Sequence, residues 1–250
     1  MEEVFVKKSS LPEAYHEALE RLYEQGRESP VPDWNTSQKE IALTMVVTEP
    51  LAEPMISRLS FCDPRSLEQY RQEMLCGILD FEIERGRWAY TYHARYADQY
   101  DRLINELRRN TYSRRACMVI RRPDDIDSED PPCLSFIQYF IREGKLDCFV
   151  LFRSNDACKA AFMNAFALIM LQKQIADELG VEMGTYTHRA DSFHCYARDY
   201  GMLEGYISRL RADADECVYD YAGEWDELME EAREEIDEVV SKLRREAGLD

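Results

Sequence analysis

Apolar residues recur along this chain with two different periods, and each period predicts its own kind of element. Apolar positions three and four residues apart predict helices over residues 11–26, 65–84, 97–109, 158–179 and 197–212. Runs of β-branched and apolar residues predict strands over residues 40–47, 55–61, 116–120, 135–141 and 145–152, and near Tyr186. Segment 55–61 is the expected partner of 40–47, and the proline-containing segment 28–37 is predicted to be a loop.

The predicted helix over residues 158–179 differs from the others because it is apolar on nearly every side. Such a helix is typical of a protein core, and Gly180 is its expected C-cap. Residues 223–250 instead carry an apolar stripe between charged residues, which predicts an exposed amphipathic helix. We therefore expect one α+β domain over residues 1–250, in which a mixed β-sheet packs on the buried central helix.

Charge and composition limit the partners of the chain. It has 49 acidic and 31 basic residues, and the formal charge of −18 opposes nonspecific attraction to nucleic acids and anionic membranes. Its apolar runs fall short of the roughly 20 residues of a membrane span, and the start MEEVFVKKSS has no signal-peptide segment. The eight cysteines form no CxxC pair, so we expect no metal site, no disulfide framework and a reduced, cytoplasmic setting.

Cys133 is the candidate nucleophile among the eight cysteines. It follows two prolines and the acidic segment 123–132, at the start of a predicted strand. A cysteine at the edge of an element is accessible, and neighbouring cations would lower its pKa and supply thiolate. The alternative is a half-buried structural cysteine, which is the more common role for any single cysteine.

A compact cluster of polar residues follows the next predicted strand. Arg153 and Ser154 together would make a phosphate clamp, and Asn164, on the apolar central helix, needs a partner for its amide. The edge of a nucleotide base is such a partner. His194 and Tyr196 are two residues apart, so in an extended segment both face the same way and can hold a ribose hydroxyl. Salt bridges and ordinary packing are the structural alternatives for each of these residues.

The order of these motifs resembles the thymidylate synthase family, which includes the pyrimidine nucleotide hydroxymethylases. The matching segments are PPCLSFIQYF at the nucleophile, RSNDACKAAFMNAFALIMLQKQIA at the nucleotide, GTYTHRADSFHCY at the ribose, and YADQYDRLINELRRNTYSRRACMVI upstream. Each motif alone is weak, but their order and spacing over residues 65–222 agree with the family. The resemblance implies a thymidylate-synthase-like fold and places Gly184 and His188 in register with the ribose segment.

The resemblance also implies the catalytic roles. Cys133 would add to C6 of the pyrimidine, so that C5 becomes nucleophilic and attacks a one-carbon unit. Glu73 would act as acid and base through water, and Tyr92 would assist proton removal from C5. Asp156 and Asn164 complete the catalytic set, with Asn164 orienting the base. Methylene-tetrahydrofolate, or a related pterin, is the implied one-carbon donor.

The nucleotide-binding residues follow from the same resemblance. Arg153 and Ser154 would hold the phosphate of a pyrimidine nucleoside monophosphate. Arg114 and Arg115 would reach across a homodimer interface to the phosphate of the partner subunit. The remaining substrate-binding candidates are Gln138, His194 and Tyr196.

Three departures from the family pattern bear on the reaction. The tryptophan loop is shortened to ERGRWAYTY, and the chain ends in a charged helix rather than a short apolar tail. Both favour water capture, and hence hydroxymethylation over the reductive methylation of a thymidylate synthase. Leu134 replaces the histidine that supports uracil O4 through water, while Asn164 can present either end of its amide. Uracil and cytosine therefore both stay open.

Two other classes of function remain at this point. One is a noncatalytic relative that binds a nucleotide, or binds another protein through its acidic C-terminal helix. The other is an unrelated cysteine hydrolase that pairs Cys133 with His93, His188 or His194, for which the sequence has no local motif.

Overall fold

The computed structural model describes residues 1–222 and 226–249, and residues 223–225 and 250 of the predicted C-terminal segment lie outside it. The helices are α1 (Leu11–Gln25), α2 (Pro64–Cys76), α3 (Phe81–Glu84), α4 (Tyr92–Arg109), α5 (Ala161–Leu179), α6 (Tyr200–Ala212) and α7 (Asp226–Glu246). The strands are β1 (Glu3–Lys8), β2 (Arg27–Val31), β3 (Thr36–Val47), β4 (Ile56–Ser57), β5 (Cys117–Val119), β6 (Leu134–Arg142), β7 (Lys145–Phe152), β8 (Asn155–Asp156), β9 (Glu182–Tyr196) and β10 (Val218–Tyr219).

A mixed β-sheet organises the described part of the chain. Its strands follow the order β1-β3-β9-β7-β6-β5, with β2 beside β3 and β8 beside β9. The pairs β1–β3 and β7–β9 are parallel, whereas β3–β9, β6–β7 and β5–β6 are antiparallel. Alternate residues of each strand are buried on one face, so the sheet has one core side. The predicted mixed sheet is confirmed.

Helix α5 lies in the core, as its uniformly apolar sequence predicts. Residues 164–172 are all buried, and Gln172 anchors the helix to the sheet by donating to the carbonyls of Leu146 and Thr185. Gly180 ends the helix in the left-handed conformation, as predicted. Despite this apolarity, no helix in the described ranges is long and apolar enough to cross a membrane.

Two predicted elements are wrong near the amino terminus. Segment 28–37 is not a loop throughout, because β2 extends to Val31 and pairs with β3, and only a short 3₁₀ turn at Pro32–Trp34 and Asn35 separates the two strands. Segment 55–61 does not pair with β3; only β4 within it is a strand, and β4 pairs with β10. The actual neighbours of β3 include β1, which was not predicted and whose residues pair over Glu3–Lys8.

The predicted helix over 65–84 is divided at Gly77. This residue has a φ of 62°, and a Cβ placed on it would lie 2.2 Å from Nδ1 of His93. Only glycine accommodates both constraints, so α2 ends here and α3 follows after a turn. The turn sets the carboxyl end of α2 beside the start of α4. Both helix ends contribute to the candidate site.

The C-terminal helix α7 packs on α2 through a buried carboxylate. Glu68 is completely buried and accepts hydrogen bonds from Arg71 and from Arg233 of α7, at 2.7 and 3.0 Å, and from Gln72 at 3.0 Å. Met229 and Ile236 of α7 are buried as well. The predicted amphipathic helix is therefore confirmed over the described part of the segment.

We expect Glu68→Gln to destabilise the protein by about 2 kcal/mol, because two arginines then lose the carboxylate that pairs them. Urea unfolding of the variant and the wild type measures this difference. The matched control is Glu235→Gln, which removes a surface ion pair to Arg65 and should cost less than about 0.5 kcal/mol. Equal effects of the two substitutions would contradict the role of Glu68.

Candidate active site

Cys133 lies immediately before β6, held against the end of β7. Arg153 donates from Nε to the Pro132 carbonyl at 3.0 Å and from Nη2 to the Pro131 carbonyl at 2.7 Å. The same Nη2 lies 3.7 Å from the Cys133 sulfur, and the Arg153 amide donates to the Cys133 carbonyl at 2.9 Å. Pairing of Leu134 with Phe152 sets this arrangement. The guanidinium therefore faces the thiol, as a charge partner for thiolate must.

The electrostatic balance at Cys133 differs from the sequence-based prediction. Burial raises the pKa of the thiol above its ordinary value, and this effect outweighs the lowering by Arg153 and Arg121. Asp130 and Asp156 also raise this pKa. The predicted lowering of the pKa by neighbouring cations is present, but in the single chain it is smaller than the effect of burial. Additional positive charge is needed for abundant thiolate near neutral pH.

A cavity of about 520 Å³ adjoins this turn, and Tyr92 connects the two. The Tyr92 hydroxyl lines the cavity region and accepts a 3.3 Å hydrogen bond from the Leu134 amide, the residue after Cys133. Residues 87–92 and 128–130 form part of the wall, and Tyr70, Glu73 and Met74 complete it. Tyr92 is thus close to both the cavity and the nucleophile.

Glu73 faces the cavity from α2. Burial raises the pKa of its carboxyl, although a 2.8 Å hydrogen bond from Gln69 acts in the opposite direction. A carboxyl whose pKa moves toward neutrality is suited to both accept and return a proton. The geometry is therefore compatible with the role that the resemblance implies.

Asn164 lies on α5 and contacts Tyr70 of the cavity wall. Its side chain is 4% exposed, and its Oδ1 accepts a 2.5 Å hydrogen bond from the Tyr70 hydroxyl of α2. Tyr70 was not a predicted site residue. The available signal was its position one helical turn before Glu73, since residues three apart share a helix face.

A second group of predicted residues lies where β8 pairs with β9. The Ser154 hydroxyl is 3.4 Å from Nδ1 of His194, and the rings of His194 and Tyr196 are 4.8 Å apart, edge to face. Nε2 of His194 is buried and has no hydrogen-bond partner among the described residues. Asp156 is used differently: its carboxylate accepts from the backbone amides of residues 158 and 159 and fixes the turn before α5.

Three predicted residues are not brought to Cys133 within this chain. Gln138 donates to the Arg114 carbonyl at 3.0 Å, and Gln138 is five residues, or roughly 16 Å, along β6 from the nucleophile. Arg114 and Arg115 are exposed, and they precede Cys117, the first residue of β5, which pairs with Gln138. At the opposite end of β5, the Arg121 amide donates to the Ser135 carbonyl. Arg121 is therefore the cation of this segment that acts on Cys133 of its own chain.

The histidines do not form a hydrolase dyad with Cys133. His188 is hydrogen-bonded to Asn155 and Tyr186, and burial lowers its pKa to about 3. His93 pairs with Asp80 at 2.6 Å. None of the histidines within the described ranges donates to or accepts from the Cys133 sulfur, and no group of three or more His, Cys, Asp or Glu residues there is arranged to hold a metal.

Comparisons with known proteins agree with the motif order. The family model for thymidylate synthase matches residues 68–245, which is well over half of the chain. A Methanocaldococcus jannaschii protein named "Putative thymidylate synthase" is 33% identical over 213 residues, covering 81% of this chain and 95% of that protein. The chain belongs to the thymidylate synthase family.

Two further similarities extend the family assignment. The Bacillus licheniformis thymidylate synthase is 34% identical over 135 residues, covering 54% of this chain and 48% of that enzyme. The solved thermostable thymidylate synthase A of Bacillus subtilis superposes with a TM-score of 0.64, covering 80% of this chain and 84% of that one, at 18% identity. This likeness confirms the predicted thymidylate-synthase-like fold. Members of the family are one-carbon transferases.

We expect alkylation of Cys133 by iodoacetamide to rise only at a pH above that of an ordinary thiol, because burial raises its pKa. Arg153→Gln should move the midpoint to still higher pH, since the variant lacks the nearest cation. Peptide mass spectrometry across a pH series measures the modified fraction, with exposed Cys76 as the internal reference. A midpoint that Arg153→Gln leaves in place would contradict this account.

Proposed function

We propose that this protein transfers a one-carbon unit to C5 of a pyrimidine nucleoside monophosphate, with Cys133 as the nucleophile. The observation that carries the proposal is the contact of Arg153 with the Cys133 sulfur, at 3.7 Å, beside the cavity that Glu73 and Tyr92 line. Membership of the thymidylate synthase family supports the same chemistry.

Addition of the Cys133 thiolate to C6 forms a sulfur–carbon bond and moves an electron pair toward C5, which would then attack the one-carbon unit as the bond of that unit to its donor breaks. Loss of the C5 proton and cleavage of the sulfur–carbon bond later return the thiolate. Burial raises the pKa of Tyr92 well above its usual value, so its hydroxyl stays protonated and orients groups near C5. Glu73 is then the group that accepts the proton, through water.

The second group of residues, where β8 pairs with β9, would hold the nucleotide together with Arg153. Arg153 and Ser154 supply a cation and a hydroxyl for the phosphate. The buried Nε2 of His194, which has no partner in the described chain, is available to a ribose hydroxyl beside Tyr196. Asp156 would act indirectly, because its carboxylate fixes the turn before α5 that adjoins the nucleotide-binding residues.

The cavity fits the cosubstrate that the family uses, methylene-tetrahydrofolate. Its volume of about 520 Å³ is that of a small-molecule pocket, and Trp88, Tyr90 and Tyr92 provide aromatic faces for a flat ring. When bound, the folate supplies the one-carbon unit. Trp88 and Tyr90 would hold its ring system, and the acidic wall at 128–130 would face solvent.

Two products are consistent with this site, and different observations favour each. Relatives named as thymidylate synthases support reductive methylation. We therefore expect a thymidylate-type nucleotide as the product. Hydroxymethylation is the second candidate, because α7 packs on α2 and none of its described residues lines the cavity. Water then has access to the one-carbon unit. The prediction of hydroxymethylation from the sequence stays a prediction.

We also propose a homodimer that shares its sites across the sheet. The face opposite the core exposes Phe5, Val119 and Phe149, at 63%, 50% and 40%. Such an apolar sheet face fits a second copy of itself. Arg114 and Arg115 are exposed and distant from Cys133 of their own chain, so they fit the phosphate of the partner subunit. Their charge would add to that of Arg153 at the thiol.

Incubation of the protein with methylene-tetrahydrofolate and, in turn, dUMP, dCMP, UMP and CMP tests the reaction. Mass spectrometry should detect a methyl nucleotide with oxidised folate, or a hydroxymethyl nucleotide, and Cys133→Ala should abolish either product. The matched control Cys76→Ala, which changes an exposed cysteine, should retain activity. No product from any of the four nucleotides, with intact nucleotide binding, would favour the noncatalytic relative.

Subunit mixing tests the shared site. Cys133→Ala and the double variant Arg114→Ala/Arg115→Ala should each be inactive, yet a re-associated equal mixture should recover about a quarter of wild-type activity. Half of the dimers are then mixed, and each has one intact site. Recovery measured against the separate variants is the readout. An active arginine double variant, or no recovery in mixed dimers, would show that the arginines do not act across the interface.

A further inference from the structure

The contact between Tyr70 and Asn164 is a polar contact of the site that the resemblance to the family does not account for. Tyr70 lies on α2 and lines the cavity, whereas Asn164 lies on α5 and is 4% exposed. The phenolic oxygen and Oδ1 of the amide are 2.5 Å apart. The contact therefore joins the cavity wall to the side chain that, by the family resemblance, orients the base.

The direction of this hydrogen bond follows from the donors available. Burial raises the pKa of Tyr70 well above its usual value, and the nearby Glu73 carboxylate acts in the same direction, so the phenol keeps its proton. Among the described residues, Oδ1 of Asn164 is the only hydrogen-bond partner of that hydroxyl. If the amide turned over, a buried phenolic proton would face an NH₂ group and lose its acceptor.

The fixed amide presents a single kind of group to a ligand. With Oδ1 bound to Tyr70, Nδ2 of Asn164 has no partner in the described chain and offers only N–H donors. Uracil has a carbonyl oxygen at C4, which accepts such a donor. Cytosine has an amino group there, and two donors then face each other without an acceptor, which a buried site rejects.

Leu134 makes this arrangement more significant. It is completely buried and apolar, at the position where the family pattern has a polar histidine next to the nucleophile. Its side chain offers nothing to the C4 substituent of a base. The Tyr70 hydroxyl, on the cavity-lining helix α2 and in contact with Asn164, supplies a polar group of this region instead.

We propose that Tyr70 is a positioning residue, which holds the Asn164 amide with Nδ2 toward the base and so makes the site select uracil nucleotides over cytosine nucleotides. This inference rests on the proposed function. It removes the ambiguity that an unrestrained asparagine leaves, since the hydrogen bond from Tyr70 fixes which end of the amide carries the oxygen.

Nucleotide binding, measured without folate by isothermal titration calorimetry, tests this inference separately from turnover. We expect wild-type protein to bind dUMP more tightly than dCMP, or UMP more tightly than CMP. Tyr70→Phe should reduce the ratio of the two dissociation constants by about 5- to 10-fold, the effect of one hydrogen bond on the orientation of the amide. In an Asn164→Ala background, Tyr70→Phe should leave the ratio unchanged, because Tyr70 acts through Asn164.

The matched control is Tyr96→Phe, which also removes a buried phenolic hydroxyl that bonds to α2, at the Met74 carbonyl. This control should keep the wild-type ratio. If Tyr70→Phe does not fold, Tyr70→Met tests the same loss, since methionine adapts to irregular space. The ratio of dissociation constants is compared between variants of equal thermal stability, for the dUMP–dCMP pair and for the UMP–CMP pair.

The outcomes separate the inference from the function on which it rests. A wild-type ratio that favours cytosine, or a ratio that survives Tyr70→Phe, overturns the role of Tyr70 and leaves one-carbon transfer standing. Binding of none of the four nucleotides overturns both. A ratio that falls equally in Tyr96→Phe identifies general loosening of α2 and overturns the positioning role.

Discussion

The candidate site depends on the hydrogen bonds by which Arg153 holds the turn before β6. One guanidinium satisfies two backbone carbonyls of consecutive prolines and still faces the Cys133 sulfur. Prolines have no amide proton, so this turn has few internal hydrogen bonds of its own. The same side chain therefore fixes the nucleophile in place and provides its nearest positive charge. The pairing register of β6 and β7 places Arg153 where it can do both.

Burial and charge oppose each other throughout this site. Enclosure raises the pKa of the Cys133 thiol and of the Glu73 carboxyl, so burial shifts both groups toward their neutral forms. The chain as a whole carries a charge of −18, which does not help an anion to form. Arg153 and Arg121 partly offset the effect of burial on the pKa of Cys133. In the proposed dimer, Arg114 and Arg115 of the partner subunit would add to this compensation.

The sequence predicted most of the architecture where a single period dominates. The uniformly apolar α5 and the short strands β6 and β7 lie where their patterns placed them, because local pattern and burial agree there. Segment 55–61 failed for the opposite reason: an apolar run does not specify its partner, and pairing is decided by distant parts of the chain. The site shows the same division. Motif spacing predicted Cys133, Arg153 and Asn164 as site residues, whereas the contact of Tyr70 with Asn164 depends on the packing of α2 against α5.

The buried Glu68 has a consequence for the motions of this protein. It joins α7 to α2, and α2 carries Tyr70 and Glu73 on its cavity side. Elements tied by a few buried polar contacts open together as one cooperative unit, below the free energy of global unfolding. Amide hydrogen exchange in α2 and α7 should therefore be correlated and faster than in β7 and β9 at the centre of the sheet. The stability of the cavity wall that α2 forms therefore depends on the packing of α7 against α2.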